Sequence, residues 1–423
     1  MNERTLLIES FEAAVKAADP ITVVAQHLPQ PPRGRTLVIG AGKAAASMAR
    51  AVEDAWPADA SLEGLVVTRY AHGLPTKRIR VIEAGHPVPD AAGEQAAAEI
   101  LSRVMELGED DHLIALVSGG GSSLLSLPVS GVSMADLKAV TKALLASGAP
   151  ITEMNIVRKH LSQIQGGRLA AACKAPVTTL VISDVTGDDP SAIASGPTCP
   201  DPTRYQDAID ILRRYRIDPP ASIAAHLEAG ARGEHAETPK PGSDVFARAT
   251  TTVIATAHKS LQAAAAFLES HSIKSVVLGD TVTGEAAEVA KVYAALIKEI
   301  RGYGQPFSAP VALISGGECT VTVRGNGRGG RCVEFLTSLA VELDGMPDVY
   351  ALAADTDGID GTEDNAGAIL SPDTKDRSNA LGLSAKERLA DNDGYSFFEK
   401  LNDLIVTGPT RTNVNDYRVI LIK

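Results

Sequence analysis

The segment that most constrains this chain is Leu113-Ile114-Ala115-Leu116-Val117-Ser118-Gly119-Gly120-Gly121-Ser122-Ser123-Leu124-Leu125. The apolar run is of strand length, and consecutive apolar residues require both faces to be covered, as in a parallel sheet between helices. It feeds three glycines and two serines, then a helix-compatible stretch. Glycines let backbone N–H groups face outward, and the following helix aims its positive end at the same spot, so anions bind in such places. A plain strand-to-helix turn is the alternative for one instance, but the pattern recurs. Pro310-Val311-Ala312-Leu313-Ile314-Ser315-Gly316-Gly317-Glu318 repeats it, and Thr36-Leu37-Val38-Ile39-Gly40-Ala41-Gly42-Lys43 adds a lysine. Ligands of open α/β sheets sit beyond the carboxyl ends of strands, where these turns fall.

Strands and helices alternate along the chain, which predicts parallel sheet covered by helices. A first helix is expected over 3–28. Strands follow at 36–39, 65–68, 80–83, 113–117 and 177–183, with helices near 43–55, 91–107, 133–147 and 158–172. Composition shifts after residue 216, and the Pro-rich stretches 216–220 and 237–242 bracket a polar, weakly patterned region that reads as an interdomain link. Alternation resumes with strands at 252–255, 275–278, 311–314, 320–323, 349–354, 404–406 and 417–422, and helices near 258–270, 284–301, 332–343 and 394–402. The expected architecture is two α/β domains: a Rossmann-like parallel-sheet domain over 1–240 and a second α/β domain over 241–423, with the active site in the cleft between them.

Lys43 stands in the first turn after a glycine turn, against the helix dipole, a placement that makes sense with an anion in the pocket. Gly40-Ala41-Gly42-Lys43-Ala44-Ala45 also fits a dinucleotide fingerprint, but the next strand ends at Arg69 rather than an acid for the ribose. It is not a Walker A loop, because Ala44 stands where Ser or Thr must meet the metal. Gly325-Asn326-Gly327-Arg328-Gly329-Gly330-Arg331 is a basic glycine-rich loop, read as mobile backbone plus guanidinium for an oxyanion, or otherwise as a hairpin loop. Carboxylates collect at strand ends: Asp184 with Asp188 and Asp189, and Asp355 with Asp357. Oxygen ligands there suit Mg²⁺, which takes one or two carboxylates plus substrate phosphates; part of the set is expected to cap turns. His86, in the rigid His86-Pro87-Val88-Pro89-Asp90 turn, is either a phosphate contact or a packed histidine. No G-x-S-x-G elbow occurs, so a hydrolase triad is unsupported.

The net charge of −12 argues against a protein that coats nucleic acid. Cys173, Cys199, Cys319 and Cys332 show no metal-ligand spacing, which points to a reducing compartment. No signal-peptide core is present and no apolar run approaches the ~20 residues that span a bilayer. The expectation is a cytoplasmic protein with small-molecule partners, without nucleic acid or membrane, and with a homo-oligomer left open.

In this order the motifs resemble the class II glycerate kinases, the glycerate 2-kinase family with a C-terminal MOFRL domain. The matching residues include Gly42-Lys43-Ala44-Ala45, Gly85-His86-Pro87-Val88-Pro89-Asp90 and Ser118-Gly119-Gly120-Gly121-Ser122-Ser123. They continue through Val157-Arg158-Lys159-His160-Leu161-Ser162, Gly166-Gly167-Arg168, Ser183-Asp184-Val185, Gly187-Asp188-Asp189-Pro190 and Ala194-Ser195-Gly196-Pro197. Ser315-Gly316-Gly317-Glu318, Gly329-Gly330-Arg331, Asp355-Thr356-Asp357-Gly358-Ile359-Asp360-Gly361 and Thr412-Asn413-Val414-Asn415-Asp416 complete the set. The resemblance implies transfer of the γ-phosphoryl group of ATP to the 2-hydroxyl of D-glycerate, with Lys43 and Arg331 essential. On this reading Ser118, Gly119, Gly120, Gly121, Ser122 and Ser123 cradle glycerate or phosphate. Ser315, Gly316, Gly317, Glu318, Gly329 and Gly330 also line the phosphate or substrate site, and an acid among Asp184, Asp189, Asp355 and Asp357 holds Mg²⁺. The family pattern G-G-R-N-Q-E here reads Gly329-Gly330-Arg331-Cys332-Val333-Glu334, and Arg411 replaces a glycine. The rival readings are an NAD(P)-dependent hydroxypyruvate or tartronate semialdehyde reductase, and a non-catalytic phosphosugar-binding regulator.

Overall fold

The computed structural model describes residues 2–423 and divides into two compact units. One spans Pro20–Ile254; the other joins the chain up to Asp19 with Ala255–Lys423.

The first unit is built on β1 (Thr36–Ala41), β2 (Glu63–Arg69), β3 (Ile79–Ala84), β4 (His112–Val117), β5 (Val177–Ile182) and β6 (Ala249–Ala255), in the order β3-β2-β1-β4-β5-β6. The contacts β1–β2, β2–β3, β1–β4 and β4–β5 are all parallel. All six residues of β1 are buried, as are five of six in β4, as continuous apolar runs between two helical layers must be. The chain winds outward from β1 to β3, then returns to lay β4 on the other side of β1. That reversal is a topological switch point, where open sheets place ligands. Its register, Ala41 beside Val117, brings the two glycine turns side by side.

The second unit carries β7 (Ser275–Gly279), β8 (Val311–Ser315), β9 (Val349–Asp355), β10 (Gly367–Leu370), β11 (Leu404–Ile405) and β12 (Asp416–Ile422), ordered β11-β10-β9-β12-β8-β7. This sheet is mixed: β7 and β8 are parallel, while β12 runs antiparallel to both β8 and β9. One face is covered by helices Ala286–Tyr303 and Arg331–Leu343, through Ile297, Phe335, Leu336 and Leu339. The other is covered by helices Glu3–Ala17 and Ala257–Ser270.

Several expectations are corrected. The first helix ends at Ala17 and belongs to the second unit, because Leu6, Leu7, Phe11 and Ala14 pack with Leu261, Leu268 and Tyr417. The boundary falls at 254/255 rather than 240/241, since β6 lies beside β5 and extends the first sheet. The stretch read as a link contains helix Ala221–Ala231, whose Ile223 and Leu227 are buried against Tyr205 and Leu212. The helix expected over 158–172 is two helices, Ile151–His160 and Arg168–Ala172, interrupted where Gly166 and Gly167 take positive φ. No strand forms over 320–323; instead Glu285 holds this segment by accepting from Thr320 Oγ1, Thr322 N and Thr322 Oγ1. β10 was not foreseen.

Candidate functional site

At the switch point the two turns are bonded to each other. Ser118 N donates to Ala41 O at 3.1 Å and Lys43 N to Gly119 O at 2.8 Å. Ala44 N donates to Ser118 Oγ at 3.1 Å. Gly42 takes φ +138°, and a Cβ there would stand 2.1 Å from Ser118 Oγ, so only glycine permits this approach. Ser118 is therefore fully buried and pins one turn to the other rather than facing a ligand. By contrast, the N–H groups of Gly119 and Gly120 make no bond to protein among the described residues, and these are the outward-facing donors. Gly120 takes φ +81°, and a Cβ on it would lie 2.9 Å from His86 Nε2 and 3.6 Å from Lys43 Cγ. His86 and Lys43 thus converge on the glycine turn.

Ser122 extends the cluster. Its hydroxyl lies 2.9 Å from Ser195 Oγ, which donates to Asn155 Oδ1 at 3.3 Å, and Arg158 Nη1 donates to the same oxygen at 3.4 Å. Ser195 sits in a run of three left-handed residues, Ala194, Ser195 and Gly196, a costly backbone for the two non-glycines that is held by the bonds from Gly166 N to Ser195 O and Gly167 N to Gly196 O. Gln165 Nε2 fixes the Ser122 carbonyl at 2.9 Å. Ser123 donates back to Gly120 O, closing its own turn. Gly121 lies under Ala194, where a Cβ would come within 2.5 Å. His86 was weighed as a phosphate contact, whereas Asn155, Arg158 and Ser195 were not expected at the site; Arg158 and Ser195 sit inside motif runs quoted above, and Asn155 lies just before one.

In the second unit, Arg331 opens helix Arg331–Leu343 and is tied into three carboxylates. Nε meets Asp416 Oδ1 at 2.6 Å, Nη2 meets Asp355 Oδ2 at 2.6 Å, and Nη1 lies 3.4 Å from Glu318 Oε1. These acids hold its guanidinium charged despite burial. The helix N-terminus is capped by the wholly buried Asp360, which accepts from Cys332 N at 3.0 Å and Val333 N at 2.9 Å. Burial pushes this carboxyl up to about 6. Gly330 lies against Asp360, where a Cβ would stand 2.2 Å from Oδ1, and Gly329 takes φ +145°. The glycine-rich loop is not the mobile segment expected. Asp391 Oδ1 accepts from Asn326 N, Asn392 Oδ1 from Arg324 N and Gly325 N, and Asp393 Oδ1 from Arg328 N.

Ser315 is fully buried and accepts from Tyr293 OH at 2.7 Å, so it does not face a ligand. Gly316 O is held by Arg418, and Gly317, at φ +101°, packs on Val282. Asp355 and Asp357 are buried at the end of β9; Asp355 Oδ1 accepts from Asp357 N, and Asp357 Oδ1 from Ile359 N. Asp184 is half-buried after β5, while Asp189 is exposed and caps Ser191 N. Among the described residues no group of three or more His, Cys, Asp or Glu side chains is arranged to hold a metal. Mg²⁺ characteristically takes one or two carboxylates, with water and substrate phosphates filling the rest of its shell.

Two α/β units, the first with its paired glycine turns and lysine at a sheet switch point, define a small-molecule enzyme of the doubly wound class. The profile of a domain of unknown function, DUF4147, matches residues 6–228, and that of the MOFRL family matches residues 311–416. A glycerate 2-kinase of Pyrococcus horikoshii is 38% identical over 100% of this chain and 98% of its own. The crystal structure of a glycerate kinase of Thermotoga maritima superposes with a TM-score of 0.89 at 37% identity, covering 99% of each chain. A protein of Agrobacterium vitis, provisionally named a hydroxypyruvate reductase, is 50% identical over 100% of this chain and 95% of its own. The chain belongs to the class II glycerate kinase family.

Proposed function

We propose that this protein is a glycerate 2-kinase, transferring the γ-phosphoryl group of ATP to the 2-hydroxyl of D-glycerate to give 2-phosphoglycerate and ADP. The observation that carries this reading is similarity along the full chain to a glycerate 2-kinase, together with a matching glycerate kinase fold. In the transfer the bond from the γ-phosphorus to the β,γ-bridging oxygen breaks, its electron pair leaving on ADP, and a bond to the 2-oxygen forms as the hydroxyl proton passes to water. Such transfer depends chiefly on positioning and charge neutralisation. Lys43 supplies positive charge at the Gly119–Gly120 turn, whose two N–H groups receive anionic oxygens. Arg331 orders Asp355, Asp416 and Glu318. Mg²⁺ accompanying ATP would draw on Asp355 and Asp357 and neutralise phosphate charge. Asp184 and Asp189 are the other candidate metal ligands, Asp189 Oδ1 also accepting from Ser191 N. We place the enzyme in the cytoplasm, as a homo-oligomer or a monomer; among the described residues no helix is long and apolar enough to cross a membrane.

The name of the Agrobacterium relative favours a reductase as the second reading. The turn after β1 speaks against it. A dinucleotide pyrophosphate would need the N–H groups of this turn, yet Gly42 N is bonded to Val67 O, Lys43 N to Gly119 O and Ala44 N to Ser118 Oγ. The purified protein, with ATP, Mg²⁺ and D-glycerate, should give a signal through enolase without added phosphoglycerate mutase. Silence there, with oxidation of NADH or NADPH by hydroxypyruvate, would instead establish the reductase.

A further inference from the structure

Residues 158–160 place three basic side chains in succession at the end of helix Ile151–His160. Two have acids within their own unit: Lys159 lies 3.6 Å from Asp201, and His160 lies 3.4 Å from Glu237. Arg158 has none. Among the described residues its guanidinium makes one hydrogen bond, to the neutral Asn155. Burial alone acts on it, drawing its pKa down with no carboxylate to offset the cost. Arg331 and Arg418, two other buried arginines, each hold carboxylates.

Asn155 is also only half used. Its Oδ1 accepts from both Arg158 and Ser195, and among the described residues its amide nitrogen donates to no protein group, although the residue is 6% exposed. Neither this amide nor any guanidinium nitrogen of Arg158 is sealed away from solvent without a partner. Ser195 and Ser122 join this pair to the glycine turn where Lys43 and His86 converge. The cluster therefore has a lysine at one end and an uncompensated arginine–amide pair at the other, linked by two hydroxyls. A planar guanidinium fork beside an amide donor is suited to a carboxylate, whereas the strongly hydrated ammonium of Lys43 suits phosphoryl oxygens as a point charge.

We propose that Arg158, with Asn155 beside it, binds the carboxylate of the acceptor and so restricts the enzyme to 2-hydroxycarboxylates. This rests on the kinase reading above. Arg158→Met should raise KM for D-glycerate about 100-fold while leaving KM for ATP within about twofold. It should also abolish the preference of the wild type for D-glycerate over its neutral carboxamide, glyceramide. Asn155→Asp is the second variant: the new carboxylate would satisfy Arg158 internally and cause the same loss of preference with the arginine still present. Unchanged ATP KM and circular dichroism would show that both variants fold. A wild type that phosphorylates glycerate, with Arg158→Met retaining its KM and its preference, overturns the assignment of Arg158 and leaves the kinase standing. A wild type that neither phosphorylates glycerate nor binds it by calorimetry overturns the kinase reading and this one with it.

Discussion

Asp416 accepts from Arg331 Nε through one oxygen, at 2.6 Å, and from Arg418 Nη2 through the other, at 2.5 Å. One buried carboxylate thus anchors two guanidiniums, and it opens β12, whose seven residues are all buried. Among the described residues, Asp416→Ala would leave Arg418, 1% exposed, with only the carbonyl of Gly316 and the sulfur of Cys319 as acceptors. Removing one partner of a buried pair costs about 3–5 kcal/mol. Urea denaturation should show a loss of that size, and a change under about 1 kcal/mol would mean that Arg418 does not depend on Asp416.

Lys43→Met tests the role of the cation at the glycine turn. Its backbone bond to Gly119 survives the substitution, so the fold should persist. A lost electrostatic contact to a transferring phosphoryl group costs about 10²–10³-fold in kcat. Steady-state kinetics with D-glycerate and a thermal melt check both halves, and a variant with wild-type kcat removes Lys43 from the catalytic set.

Gly42→Ala tests the pairing of the two turns. The new methyl would meet Ser118 Oγ at 2.1 Å and Ser118 O at 2.5 Å, in a backbone region that alanine avoids. Strain and overpacking together predict a loss of about 2–4 kcal/mol. Because Ser118 fixes Ala44, kcat should fall as well. Wild-type stability would show that the turns are not locked together.

What the sequence made legible was the part governed by local pattern. The apolar runs of β1, β4 and β8, each followed by glycines, identify both the strands and the turns after them. That these turns meet at a switch point depends on strand order, which no single segment encodes. Helix Glu3–Ala17 could be read as a helix from Leu6, Leu7 and Phe11, but its membership in the second unit is decided by partners more than two hundred residues away, such as Leu261. Strand β10 escaped because four residues, Gly367–Leu370, carry too little periodicity. Ser118 and Ser315 were expected to face a ligand because of their motifs; instead each hydroxyl is taken inward by a protein donor, Ala44 N and Tyr293 OH respectively. Arg158 was visible as a motif residue, yet its lack of an acid could be recognised only once Asp201 and Glu237 were seen to serve its neighbours.

Glu334 offers a pH test in the second unit. It is 7% exposed, and burial raises its carboxyl to about 7 although Asn392 Nδ2 donates to it at 3.1 Å. The folded protein therefore binds a proton more tightly than the unfolded chain does. Its contribution to stability is full below the ordinary value of 4.5 and is lost as pH rises through about 7. Glu334→Gln keeps an acceptor for Asn392, whose Oδ1 holds the glycine-rich loop at Arg324 and Gly325, but removes the ionisation. The variant should match the wild type near pH 5 and exceed it by about 1–2 kcal/mol at pH 8, after allowing for solvent screening. Asp360, raised to about 6, titrates in the same range, so the quantity to follow is the difference between variant and wild type across pH. A difference that stays flat from pH 5 to pH 8 would show that Glu334 ionises in the folded state as it does in the unfolded chain.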